Sequence, residues 1–184
     1  GIGLAPLLFA AAELAARGKR ASLAAGAKDT PSLSWIDGVL ARSGALWTDA
    51  ERPGADEEAG RGGERPLILL HRFTEDGTSG RKGMVTDHLE EVVEAVRPDF
   101  VLLCGPELFM KKAIGILADR GIGGQASVER IMKCGVGICG SCSLDDTGDR
   151  VCVEGPVFGF DDLRKTREFG RYRRDESGAI GRLT

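Results

Sequence analysis

KCGVGICGSCSLDDTGDRVC, from Lys133 to Cys152, holds four of the chain's five cysteines at the spacing C-x4-C-x2-C-x9-C. Zinc sites usually set two short cysteine knuckles apart by a longer loop. Here three thiols crowd together and the fourth stands alone, which is the plant-type arrangement for a [2Fe–2S] cluster. Three sulfurs on one tight loop would wrap the cluster from one side, and Cys152 would close it from a neighbouring strand. Gly135, Gly137 and Gly140 allow positive φ and a close approach of backbone to inorganic sulfide. Successive N–H groups would then offset the cluster's negative charge. Cys139-Gly-Ser-Cys142 alone suits a redox dithiol, but that motif opens a helix, and Leu144 to Gly148 reads as a turn. Cys134, Cys139, Cys142 and Cys152 are therefore read as metal ligands, with a zinc site as the alternative. Cys104 lies far upstream, before Gly105-Pro106, and is excluded as a ligand.

The rest of the chain sets the context. Its 184 residues suffice for one ordinary core with a small module attached, and a formal net charge of −3 offers no basic field for nucleic acid. No apolar run reaches the ~18 residues of a membrane span. The opening GIGLAPLLFAAAELAA lacks a basic leader and carries Glu13. The expected compartment is cytoplasmic, where clustered cysteines bind metal or serve redox chemistry more often than they form structural disulfides.

Working back towards the N-terminus, short apolar strands alternate with helices. Arg20–Ala27, Pro66–Phe73 and Phe100–Cys104 read as strands. An Ala/Leu-rich opening helix ends near Arg17-Gly18, Ser34 caps a helix from Trp35 to Arg42, and Thr86 caps one from Asp87 to Val96. A further helix runs from Glu107 to Arg120 and stops at Gly121. Residues 51–66, rich in Gly, Pro and charge, read as a loop. This alternation predicts an α/β fold, a doubly wound parallel sheet over 1–122 with ligands at the C-terminal strand ends. A loop-rich cluster module over 123–160 and a solvated charged tail over 161–184 complete the expected organisation. Because a first strand normally feeds the first glycine turn, and the chain opens on that turn, it is read as a fragment. His71 is expected to be a satisfied strand residue and His88 a surface one.

Gly1, Gly3 and Pro6 resemble a dinucleotide fingerprint with proline in place of its third glycine. Small residues before a helix N-terminus would admit a pyrophosphate, although turn glycines and a proline in the first helical turn look the same. Asp76 and Gly77, in Thr74–Gly80, sit where they would meet ribose or nicotinamide. Cys104, Gly105 and Pro106 end another buried strand at the same expected edge. No side chain is assigned an acid–base catalytic role.

Together these pieces resemble the electron-transfer subunits of NAD-dependent, two-subunit dihydroorotate dehydrogenases, within the ferredoxin-reductase superfamily. The resemblance rests on Gly1-Ile-Gly-Leu-Ala-Pro6, Thr74-Glu-Asp-Gly-Thr-Ser-Gly80, Lys82-Gly-Met-Val-Thr-Asp87 and Leu103-Cys-Gly-Pro106. It is strongest from Ser127 through the cysteines to Val153-Glu-Gly-Pro-Val-Phe158. It implies a relay from an FMN-containing catalytic subunit that oxidises dihydroorotate, through a [2Fe–2S] cluster and FAD, to NAD, in a heterotetramer serving pyrimidine biosynthesis. The family's FAD-binding barrel has no counterpart in these residues. The resemblance also implies that Cys104 lies beside the nicotinamide and Gly1, Gly3 and Pro6 near the pyrophosphate. Related subunits of sulfhydrogenases and of NADH-dependent ferredoxin:NADP oxidoreductases are the nearest alternative, and Val153–Phe158 favours the dihydroorotate enzyme. A zinc-stabilised binding module is the alternative without electron transfer.

Overall fold

A strand covered on both faces must be apolar at successive positions, and Ile68, Leu69, Leu70, His71, Phe73 and Thr74 are all buried. That segment is the centre of the first of two compact units, which divide between Val96 and Arg97 in the computed structural model. The structure describes residues 3–42, 45–55 and 67–183.

In the first unit, helix α1 (Leu4–Ala16) ends at Gly18, whose φ of 72° is the left-handed turn expected there. Strand β1 (Ser22–Ala27) leads to the one-turn helix α2 (Thr30–Leu33) and to α3 (Trp35–Leu40). Then come β2 (Leu46–Asp49), β3 (Leu67–Thr74), the two-residue β4 (Arg81–Lys82) and helix α4 (Val85–Val96). Strand β3 is central and every pairing is parallel. β1 lies along one side, β2 along the first half of the other, and β4 beside Phe73 and Thr74. Leu4, Leu7 and Leu8 pack in the cluster that holds Leu23, Ala25 and Ala27, whereas Ala11 and Ala15 pack with Ile68 and Ala21. Helix α1 therefore runs antiparallel to the strands, with its N-terminus at their C-terminal edge. The α/β fold with a parallel sheet is as the alternation predicts.

The second unit opens with β5 (Val101–Cys104) and helix α5 (Glu107–Ala118), whose Met110, Ala113, Ile114 and Leu117 form one buried stripe at helical spacing. Strand β6 (Gly124–Ser127) pairs parallel to β5, and β7 (Val157–Gly159) returns antiparallel to β6. Between β6 and β7 lies the cysteine-bearing loop. After β7 come α6 (Phe160–Lys165) and a hairpin of β8 (Tyr172–Arg174) and β9 (Ile180–Arg182).

Several details correct the expectations. The tail is solvated only in its second half, since Leu163, Thr166, Glu168 and Phe169 are buried whereas residues 171–183 are exposed or half-buried. Asp29, not Ser34, makes the cap in the Asp29–Ser34 stretch, accepting the Ser32 N–H at 2.9 Å. His88 is half-buried, with its ring stacked on Phe73 at 5.3 Å and Nε2 2.9 Å from the Lys82 carbonyl oxygen. Residues 56–66 of the expected loop lie outside the described residues. Among the described residues, no helix is long and apolar enough to cross a membrane.

Candidate metal centre

The cysteine loop is built from turns, and its sulfurs collect main-chain donors. Gly135, Gly137 and Gly140 take φ values of 68°, 77° and 69°, so the chain reverses on either side of Cys139 without a Cβ penalty. At Gly137 the requirement is also one of space, because a Cβ there would lie 2.7 Å from Val153 Cγ2. The reversals turn the N–H groups of Val136 and Cys139 towards Cys134 Sγ, at 3.5 Å each. Cys139 Sγ lies 3.3 Å from Ser141 Oγ.

These contacts favour thiolate. Donation from the Ser141 hydroxyl and N–H lowers the Cys139 thiol to about 6. The Cys139 N–H, with that of Val136, lowers Cys134. Contact with Cys142 instead raises Cys152. A site that stabilises sulfur anions with backbone N–H groups has the chemistry of a thiolate metal centre.

Cys142 and Cys152 are brought together by a second device. Ser143 and Arg150 form an isolated antiparallel bridge, and Val151 donates its N–H to the Cys142 carbonyl at 3.2 Å. The intervening Leu144 is buried beneath the turn, as is Val151. Cys152 lies in the turn that follows, not in the strand expected for it. That turn is held by Glu154, whose carboxylate accepts the Arg150 N–H at 2.6 Å and is held down to about 2 by the Arg150 side chain.

The four thiols fall into two neighbouring pairs, Cys139 acting on the titration of Cys134 and Cys142 on that of Cys152, and Cys134 also acts on Cys152. All are free of disulfides. Among the described residues no group of three or more His, Cys, Asp or Glu side chains gathers around a single point suited to one ion.

The nucleotide candidates divide between the two units. In the first, Gly3 immediately precedes α1 with φ −60°, and Pro6 is the third residue of the helix rather than its first. Gly1 lies outside the described residues. Asp76 Oδ1 accepts from Thr78 N at 2.9 Å and Thr78 Oγ1 at 2.7 Å, and these bonds hold its carboxyl below the usual range. Thr78 in turn accepts the Thr30 N–H at 3.0 Å, which ties the β3–β4 loop to the end of β1. Gly77, at φ 79°, makes the turn between them. Cys104, Gly105 and Pro106 belong to the second unit, at the junction of β5 and α5. Ser141, Arg150 and Glu154 carry no cysteine-type motif of their own in the sequence. Only the short Arg-x3-Glu spacing hinted at the last two.

Comparison with known proteins follows the same geography. Residues 129–164 match the family model of the iron–sulfur cluster binding domain of dihydroorotate dehydrogenase B. A probable dihydroorotate dehydrogenase B (NAD(+)), electron transfer subunit, of Methanothermobacter thermautotrophicus is 40% identical over 97% of this chain and 57% of that protein. The Methanocaldococcus jannaschii protein of the same name is 38% identical, over 97% of this chain and 60% of its own length. The chain thus spans less than two thirds of the curated relatives it matches. The solved NADH-dependent reduced ferredoxin-NADP oxidoreductase superposes with a TM-score of 0.48 at 24% identity, covering 77% of this chain and 52% of that one.

Proposed function

We propose that this chain, similar over 97% of its length to electron transfer subunits of dihydroorotate dehydrogenase B, is the nucleotide-binding and cluster-bearing part of such a subunit. The observation that carries the proposal is the cysteine loop itself: four thiols in two pairs, within the residues that match an iron–sulfur cluster binding domain. In this reading Cys134, Cys139, Cys142 and Cys152 hold a [2Fe–2S] cluster. Two pairs of thiols suit two irons that each take two protein ligands, better than they suit one tetrahedral ion. When bound, the cluster supplies one-electron transfer between carriers.

The chain's own residues do the holding. Val136, Cys139 and Ser141 donate to the sulfurs, and Gly137 leaves room for Val153 and Arg150 to pack against the loop. The N-terminus of α1 after Gly3, with Pro6, and the Asp76–Gly77 turn would receive the pyridine nucleotide at the C-terminal edge of the first unit's sheet, a usual ligand edge of parallel sheets. Cys104, Gly105 and Pro106, at the junction of β5 and α5 in the second unit, are proposed as nucleotide contacts at their own strand end. FAD would pass electrons from the cluster to NAD, because flavins exchange both single electrons and hydride while NAD takes only hydride.

The partner in this proposal is an FMN-containing catalytic subunit that oxidises dihydroorotate, in a cytoplasmic heterotetramer. Met132, Val136, Ile138 and Val153 stand exposed around the cysteine loop, Ile138 by 85%. Apolar side chains grouped in this way mark surfaces that a partner covers. Anaerobic purification followed by iron, sulfide and zinc analysis, with visible spectra before and after dithionite, tests the proposal. Two irons and two sulfides per chain, with bleaching on reduction, are expected for a [2Fe–2S] centre. Zinc without sulfide would overturn it.

A further inference from the structure

Arg150 links the two thiol pairs. Its backbone forms the bridge to Ser143, next to Cys142. Its Nη1 donates to the Gly137 carbonyl at 2.9 Å, inside the loop between Cys134 and Cys139. Nε and Nη2 go to the two carboxylate oxygens of Glu154, Nε at 3.1 Å and Nη2 closer still. A planar fork with five donors can hold a carbonyl and a carboxylate at once, whereas a lysine ammonium would have to choose between them. The guanidinium also lies within electrostatic reach of the Cys142 and Cys152 sulfurs.

We propose that Arg150 and Glu154 are a positioning pair for the iron–sulfur centre, which joins the Cys134–Cys139 loop to the Cys142–Cys152 hairpin and sets the local charge that the centre meets on reduction. The proposal rests on the reading of these cysteines as cluster ligands. Reduction adds one negative charge, so a nearby cation favours the reduced form and a nearby anion opposes it. In the native pair the two charges largely cancel. Arg150→Met leaves the Glu154 carboxylate uncompensated, and Glu154→Gln leaves the Arg150 guanidinium uncompensated. The two substitutions break the same ion pair yet leave opposite charges behind. Loosening of the loop would move the potential in the same sense in both variants, whereas the charge effect has opposite signs.

Both side chains are over one-third exposed, at 38% and 35%, so solvent screening keeps the effect moderate. The reduced-to-oxidised ratio at a fixed potential should fall about threefold to tenfold in Arg150→Met and rise by a similar factor in Glu154→Gln. A tenfold change corresponds to about 59 mV for one electron. The shifts should shrink at high salt. Arg150→Lys keeps the charge but loses the fork, so its potential should stay near the native value while iron is lost faster to a chelator.

The test is an EPR-monitored redox titration of the full chain and these variants, at low and high salt, after iron and sulfide have been measured in each. A native chain without iron and sulfide would overturn the cluster assignment itself. Loaded variants whose potentials move in the same direction, or not at all, would overturn only the role given to the pair. Should Arg150→Met hold no cluster, Glu154→Gln and Arg150→Lys decide the matter. An unchanged or lowered potential in Glu154→Gln, or native iron retention in Arg150→Lys, would overturn the role.

Discussion

Arg130 Nη2 donates to Glu168 Oε1 at 2.5 Å across 38 residues of sequence, and the same guanidinium reaches Glu107 through Nη1. All three side chains are buried, at 4%, 4% and 8% exposure for Arg130, Glu168 and Glu107. The outer carboxylate oxygens are also used. Glu168 Oε2 accepts the Asp145 N–H at 2.8 Å, and Glu107 Oε2 accepts the Gly170 N–H at 3.0 Å. One buried cation thus fastens the start of α5, the approach to Cys134, the turn after Cys142 and the C-terminal segment.

Removing that cation leaves two carboxylates buried and uncompensated. Breaking a buried ion pair from one side typically costs about 3–5 kcal/mol, and Arg130→Met is expected to lose stability on that scale in denaturant titrations. Arg164→Met is the control, since its pair with Asp161 is long, at 3.7 Å, and both side chains are mostly exposed. A change within about 0.5 kcal/mol is expected there. Equal effects in the two variants would remove the triad from its central place.

Glycine substitutions separate backbone strain from crowding in the cysteine loop. Gly135 and Gly137 both have positive φ, but a Cβ at Gly135 meets nothing within 4 Å, whereas one at Gly137 meets Val153 at 2.7 Å and Arg150 Nη1 at 2.8 Å. Gly135→Ala should therefore carry only the conformational cost, about 1 kcal/mol. Gly137→Ala should in addition displace the Arg150 guanidinium, and its iron content after reconstitution should fall well below that of Gly135→Ala. Equal iron retention in the two proteins would show that the contacts inside the loop are unimportant.

The parts of this structure that could be read in advance are those where one dimension carries the constraint. Strand β3 and helix α5 announce themselves by an unbroken apolar run and by the spacing of Met110, Ala113, Ile114 and Leu117. The cysteine spacing is likewise a local property, and it led directly to the loop. Strand β2, four half-buried or exposed residues, exists only through its pairing with β3, and nothing in Leu46–Asp49 foretells that partner. The C-terminal segment misled for another reason. A charge destined for burial looks the same in sequence as one destined for solvent, and Glu168 is committed by Arg130, far away in the chain. The few apolar anchors, Phe160, Leu163 and Phe169, were the available signal. The nucleotide end stayed weak because main-chain turns, not side chains of distinctive type, would make the contacts.

Asp146 gives the C-terminal segment a pH dependence. Its carboxylate accepts the Arg167 N–H by a short bond and the Arg167 Nε at 2.8 Å, and these donors hold its carboxyl below the ordinary aspartate value of 3.8. A carboxyl whose folded value is depressed contributes its stabilisation above the unfolded value, and loses it as pH falls through the folded one. Native stability should therefore decline as pH drops below about 4, with a proton uptake that Asp146→Asn does not show. Unfolding midpoints measured at stepwise lower pH would reveal a shallower slope in the variant. Parallel slopes would mean that the contact with Arg167 does not persist in solution.

The ligand assignment has the sharpest test in the two cysteines that differ most in setting. Cys139 lies on the exposed loop among main-chain and hydroxyl donors, while Cys104 ends β5, half-buried and joined to α5 through Gly105 and Pro106. Cys139→Ser removes one member of the Cys134–Cys139 pair, and serine oxygen is a harder, less readily ionised ligand than thiolate. Iron, sulfide and the visible absorption should be lost or reduced severalfold. Cys104→Ser should keep all three at native levels, and any defect should instead be seen in binding of the pyridine nucleotide. Loss of iron in the Cys104 variant, or its full retention in the Cys139 variant, would require a different set of ligands.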